Sequence, residues 1–376
     1  MMSLSKQLPL TGIKVLDFST LLPGPVCSLL LSEAGAEVIK VERPQGGDEM
    51  RSYHPKAGED SGNFVILNRG KQSIAVDLKD PKTIAQLTPI ILECDILIEQ
   101  FRPGVMARLG LGYETLQAIN PKLIYCSITG FGQTGPDAML AAHDLNYVAQ
   151  TGMLSLVVDT NGYPSLPPAL IADIAGGAYP AFSNILLALR QRDITGEGSY
   201  LDISMSDNLF TFMYWVMAEQ QLDGKSPSAA SSLVTGGTPR YQIYKTKDER
   251  FLAAAPLEDK FWNNFCHLIH LEDRYRDVAC SPKEASEAIA NIIQTKTAHE
   301  WEVIFEGHDV CSVIVKTFDE ALQSKHFASR GIFKKLINHN DGQIMALPIP
   351  IVNHLRRDEE SLDYPKLGEH NKTILG

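Results

Sequence analysis

The chain has 376 residues, 44% of them apolar, and sets 34 Lys and Arg against 45 Asp and Glu for a net charge of -11. That length predicts two domains with ample core and no need of disulfide staples. The acidic balance argues against nucleic acid or an anionic membrane as a partner, since either requires a basic face, but it leaves room for a local basic patch. No run approaches about 18 apolar residues, so no transmembrane helix is expected. The first ten residues lack the apolar core of a secretory signal. Cys27, Cys94, Cys126, Cys266, Cys280 and Cys311 are scattered without a CxxC pair, which reads as free thiols in a reducing cytoplasm.

In chain order, a strand is predicted over 13–18, closed by Leu22-Pro23-Gly24-Pro25 read as a turn. A helix over 27–34 and a second strand over 37–42 follow. Further strands fit 73–78, 95–99 and 122–128, with helical stretches between them. This alternation predicts a parallel, helix-covered sheet of the doubly wound α/β class. A long apolar segment over 170–192 contains Gly176-Gly177 and leads to a strand over 200–204 and a helix over 205–220. The small-residue stretch 223–232 marks a boundary. Beyond it, strands over 241–245 and 251–255 form a hairpin and helical patterns fill 258–325, a smaller α+β domain. The stretch 344–352 is extended.

Gly130-Phe131-Gly132-Gln133-Thr134-Gly135 matches GxGxxG but follows a late strand and runs into Pro136, so a loop is preferred to a dinucleotide site. P-loop, HExxH and GxSxG patterns are absent. Lys40 and Arg43 close the second predicted strand, the cluster Asn68-Arg69-Gly70-Lys71 precedes the third, and Arg102 follows the fourth. Strand carboxyl ends converge on one crevice in such sheets, where basic groups could hold a phosphorylated ligand; solvated loop charges are the other reading. His143-Asp144 and Asp173 form a candidate acid/base pair, against a core histidine and a helix N-cap as the plainer readings.

These segments together resemble the family III CoA-transferase (CaiB/BaiF) superfamily, in particular its alpha-methylacyl-CoA racemase branch. The likeness is carried by Ile128 to Pro136, His143-Asp144-Leu145-Asn146-Tyr147, Phe101-Arg102-Pro103-Gly104-Val105, Gly236-Gly237-Thr238-Pro239 and Leu367-Gly368-Glu369-His370. The resemblance implies an intertwined homodimer of acyl-CoA enzymes, with CoA as part of the substrate and no metal or redox cofactor. It implies a Rossmann-like large domain over 1–222 to which 335–376 returns, and a linker and small domain over 223–334. Lys40, Asn68, Arg69, Gly70, Lys71, Arg102 and Tyr147 match CoA-binding positions. Both chemistries of the superfamily use a carboxylate at Asp173. In the transferases it is the nucleophile; in the racemases it is one of two bases, the other matching His143. The His-Asp pair favours a racemase interconverting (2R)- and (2S)-2-methylacyl-CoA. The alternatives are a CoA-transferase and an inert acyl-CoA-binding protein. The backbone N–H of Asp144 matches the enolate donor, and Glu258 matches a carboxylate that orients the histidine. Met153, Met205, Met213 and Met217 read first as core and second as an adaptable wall for an acyl tail. Ala142 stands where the family usually has Gly.

Overall fold

The computed structural model describes residues 7–159, 161–277, 279–339 and 341–376. Two compact units divide the chain. The first comprises Met1–Thr151, Leu166–Phe212 and Arg330–Gly376; the second comprises Gly152–Ser165 and Met213–Ser329. The division departs from 1–222, 223–334 and 335–376 in three places: 152–165 goes with the second unit, the change falls at Met213, and the return to the first unit begins at Arg330. Small residues such as those at 223–232 mark a stretch that packs little, whereas the units are set by which segments touch.

In the first unit, β1 (Lys14–Asp17), β2 (Glu37–Glu42), β3 (Gln72–Ala75), β4 (Ile96–Glu99), β5 (Ile124–Thr129) and β6 (Ser199–Ser204) form one sheet in the order β3-β2-β1-β4-β5-β6. Every pairing is parallel. Parallel sheets are covered on both faces, and β5 is accordingly buried at every position. The helices α1 (Pro23–Glu33), α2 (Gly62–Asn68), α3 (Pro81–Glu93) and α4 (Tyr113–Ile119) connect these strands. Leu16, Ile39, Ile74, Leu87, Leu97 and Tyr125 belong to the core of one face. Strand order reverses between β1 and β4, so the loops leaving their carboxyl ends part and open a crevice there.

Pro23-Gly24-Pro25, expected as a turn, is instead the first turn of α1. The first N–H groups of a helix have no intrahelical partner, so prolines cost nothing there. Later in the unit come α5 (Asp144–Gln150) and a π-helical turn, Ala172–Ala178, that runs into α6 (Tyr179–Thr195).

The second unit carries the antiparallel sheet β9-β8-β7, built from β7 (Gln242–Lys245), β8 (Phe251–Ala254) and β9 (Ser312–Ile314). Its helices α7 (Asp259–Leu268), α8 (Pro282–Ile293) and α9 (Ala298–Phe305) bury Trp262, Phe265, Ile289, Trp301 and Phe305 against Leu252 and Ile314. The chain then re-enters the first unit, where β10 (Leu336–His339) pairs with β11 (Gly342–Met345) and β12 (Ser361–Leu362).

Candidate active site

A cavity of about 300 Å³ opens at the reversal of strand order. Its walls are the loop after β1 (Thr20, Leu21, Pro23), the loop after β4 (Gln100, Phe101, Arg102), the end of β5 (Ile128 to Phe131), and His143, Tyr147, Asp173 and Met205. All of these residues belong to the first unit.

The loop after β1 is clamped from beneath by buried ions. Leu21 takes φ +62°, unfavourable for a branched side chain, and its N–H donates to both Asp48 oxygens at 3.0 and 3.2 Å. Asp48 pairs with Lys40 at 2.9 Å, both side chains fully buried, and Lys40 Nζ donates to the Ser19 carbonyl at 2.8 Å. Asp17 accepts from the Ser19 N–H at 2.9 Å. Burial alone would raise the Asp17 carboxyl, but Lys40 and Lys71 outweigh it and hold it below its ordinary value.

The basic cluster is part of that network. Lys71 is fully buried, donates to the Pro25 carbonyl at 3.0 Å and to Asn68 Oδ1 at 2.9 Å, and is pushed down to about 7 chiefly by burial. Arg69, 1% exposed, binds Glu33 at 2.7 Å and the carbonyls of Ile66 and Leu347. Asn68 donates to the Phe64 carbonyl, and the Gly70 N–H to that of Asp363. Lys40, Asn68, Arg69 and Lys71 are therefore buried with their polar side-chain groups bonded within the protein. Of the expected CoA-binding residues, exposed Arg102 and buried Tyr147 do line the cavity.

The His143 loop is fixed by the two residues that follow the His-Asp pair. The His143 N–H donates to Asn146 Oδ1 at 3.0 Å, its carbonyl accepts from the Asn146 N–H at 2.8 Å, and Tyr147 donates its hydroxyl to the Ala142 carbonyl at 2.8 Å. Burial, then Asp173 and Asp144, push that phenol up to about 12, so it remains a donor. Gly130 is required beside it, because a Cβ there would overlap the Tyr147 ring. His143 itself is exposed at the cavity rim.

Asp173 does not cap its own helix, the plainer sequence reading. It lies inside the π-helical turn, and the cap comes from Asp144, whose Oδ1 accepts the Asp173 N–H at 3.0 Å. Burial first, and the Asp144 charge second, push Asp173 up to about 7. Gly176 lets this turn approach the Met205 carbonyl, which a Cβ would strike. Among the four methionines only Met205 lines the cavity; Met153, Met213 and Met217 belong to the second unit. Glu258 also belongs to the second unit, exposed at the N-cap of α7. Thr20, Gln100 and Thr129 line the cavity without having been anticipated, since single polar residues carry no motif. Their positions just after predicted strands were the one available signal.

A doubly wound α/β unit with an imidazole, and a carboxylate poised near neutrality, at its switch point has the parts of an enzyme that moves protons or acyl groups. The chain belongs to CoA-transferase family III, whose profile matches residues 10–371. It is 33% identical to human alpha-methylacyl-CoA racemase over 97% of this chain and 92% of that one. It is also 31% identical to human succinyl-CoA:glutarate CoA-transferase, over 98% and 85%. A CAIB/BAIF family protein from Brucella suis superposes with a TM-score of 0.80 at 28% identity, covering 98% of both chains.

Proposed function

We propose that this chain interconverts (2R)- and (2S)-2-methylacyl-CoA thioesters by proton transfer through an enolate. The observation that carries this reading is the presence of His143 and Asp173 in one cavity, with Asp173 pushed up to about 7. Inversion needs one group to take the α-proton from one face and another to return a proton on the opposite face. Each group must therefore be able both to take and to give a proton. The backbone N–H of Asp144 is the proposed donor to the enolate oxygen, and Glu258 the proposed carboxylate that orients the catalytic imidazole. Arg102 is the proposed contact for a CoA phosphate. CoA enters only as part of the substrate, and no other cofactor is proposed. The proposed working unit is a homodimer in a reducing cytoplasm; Leu187 and Ile194 on α6, 68% and 70% exposed, support the dimer.

The relatives that are CoA-transferases support a second reading. There Asp173 would attack the thioester carbonyl and expel CoA as its thiolate, leaving a mixed anhydride. The thiolate would then attack the aspartyl carbonyl, releasing the acid and forming an aspartyl-CoA thioester.

Incubation with a 2-methylacyl-CoA in deuterated water, with no acceptor acid, should place deuterium at the α-carbon and scramble its configuration. His143→Ala should slow that exchange by about 10²–10⁴-fold. No exchange in the native chain, together with a hydroxylamine-trappable thioester on Asp173, would establish the transferase instead.

A further inference from the structure

Thr129 ends β5 with a hydroxyl that the fold does not use. The residue is 7% exposed, its Oγ1 has no hydrogen-bond partner among the described residues, and it lines the cavity that holds His143 and Asp173. Buried hydroxyls are nearly always bonded, and leaving one unpaired carries a desolvation penalty that an isosteric valine would avoid. Gln100, after the neighbouring strand β4, adds a second uncharged donor to the same cavity. Its Oε1 accepts the Gly24 N–H at 3.1 Å, which leaves the amide NH₂ for another acceptor. Donors with no acceptor among the described residues, lining a cavity that also holds a carboxylate, suit a ligand oxygen that gains negative charge.

We propose that the Thr129 hydroxyl donates to the thioester carbonyl oxygen of bound acyl-CoA and holds the charge that collects there during reaction. The assignment rests on the reading of the cavity as an acyl-CoA site, though not on the choice between its two chemistries. When the α-carbon gives its proton to a base, the electron pair left behind forms the carbon–carbon double bond and the carbonyl pair moves onto oxygen. When a carboxylate attacks instead, the same oxygen takes the charge of the tetrahedral adduct. A preorganised donor counts most where charge develops.

The test uses acetoacetyl-CoA, whose enolate has its own ultraviolet absorbance and reports stabilisation of that oxygen without turnover. The native full-length chain should bind it and raise the enolate fraction. Thr129→Val should bind it within about threefold as tightly yet lose most of the enolate signal, and Thr129→Ser should restore it. The Val variant should melt no lower than the native protein, which a hydroxyl with a structural role would not allow. With a turned-over acyl-CoA, kcat should fall about 10²-fold in the Val variant with little change in KM. An unchanged enolate signal in Thr129→Val overturns the assignment, as does a native chain that binds acetoacetyl-CoA without enolising it or fails to bind it. Failure of racemisation is read separately, by deuterium exchange, and leaves the Thr129 result standing or falling on the enolate signal.

Discussion

At the scale of single residues, Asp144 and Asp173 divide two tasks between like groups. Asp144 accepts the N–H at the head of the π-helical turn and so places Asp173, while its charge joins burial in raising the Asp173 carboxyl to about 7. A raised carboxyl makes the folded chain hold a proton that the unfolded chain releases near pH 4. The Asp173 contribution to folding stability therefore declines as pH rises from about 4 towards 7 and stays reduced above that. Asp173→Asn escapes this loss. In urea unfolding it should match the native chain at pH 4 and exceed it at pH 8, by roughly 1–2 kcal/mol once solvent screening of a half-buried group is allowed for. The same coupling bears on rate. Asp144→Asn keeps an oxygen for the Asp173 N–H but removes the neighbouring charge, so Asp173 should ionise at lower pH. The acidic limb of kcat/KM, expected near pH 7 in the native chain, should move to lower pH; a limb that stays in place would remove Asp144 from the explanation.

At the scale of elements, Arg69 ties three pieces of chain that are distant in sequence. It leaves α2, meets Glu33 at the end of α1, and reaches the Leu347 carbonyl of the returning segment. Removing one partner of a buried ion pair costs about 3–5 kcal/mol. Here Lys335 also binds Glu33, at 2.7 Å, and softens the loss. Arg69→Met should thus lower stability by roughly 2–3 kcal/mol while leaving the KM for an acyl-CoA unchanged. A large rise in KM would return Arg69 to the ligand. The pairing of this cluster was not legible in the sequence because charge is visible there and its partner is not; Glu33 lies 36 residues away. The sheet was legible for the opposite reason. Strands buried on both faces tend to be apolar runs, and β4 fell where the pattern placed it, over Ile96–Glu99. The His143 and Asp173 pair could be read through its neighbours, whereas Thr129, just past the predicted strand over 122–128, is a single hydroxyl that carries no motif. Pro23-Gly24-Pro25 misled because proline marks both a turn and a helix start, and only the buried stretch behind it decides which.

At the scale of the whole molecule, the chain leaves the first unit, builds the second, and returns with Arg330–Gly376. That return completes the first unit's sheet at its weakest place. Strand β3 is an edge, and an open edge invites pairing with other chains. The last residues occupy it: the His370 N–H donates to the Ser73 carbonyl at 3.0 Å, and the Asn371 side chain bonds both the N–H and the carbonyl of Ala75, at 2.8 and 3.0 Å. Ile374 and Leu375 pack on the core behind them. Each such hydrogen bond contributes about 1 kcal/mol net, and more when its loss leaves a buried group unpaired. Asn371→Ala, which removes two, should cost roughly 2 kcal/mol in urea unfolding without changing the oligomeric state. Deleting 367–376 removes the cover altogether, so the shortened chain should unfold at markedly lower urea and scatter light in proportion to its concentration. Because the cavity lies on the far side of β1 from this edge, Asn371→Ala should keep its kcat at temperatures where it remains folded. A deletion variant with native unfolding and no association would show that β3 is protected by something other than the chain's own end.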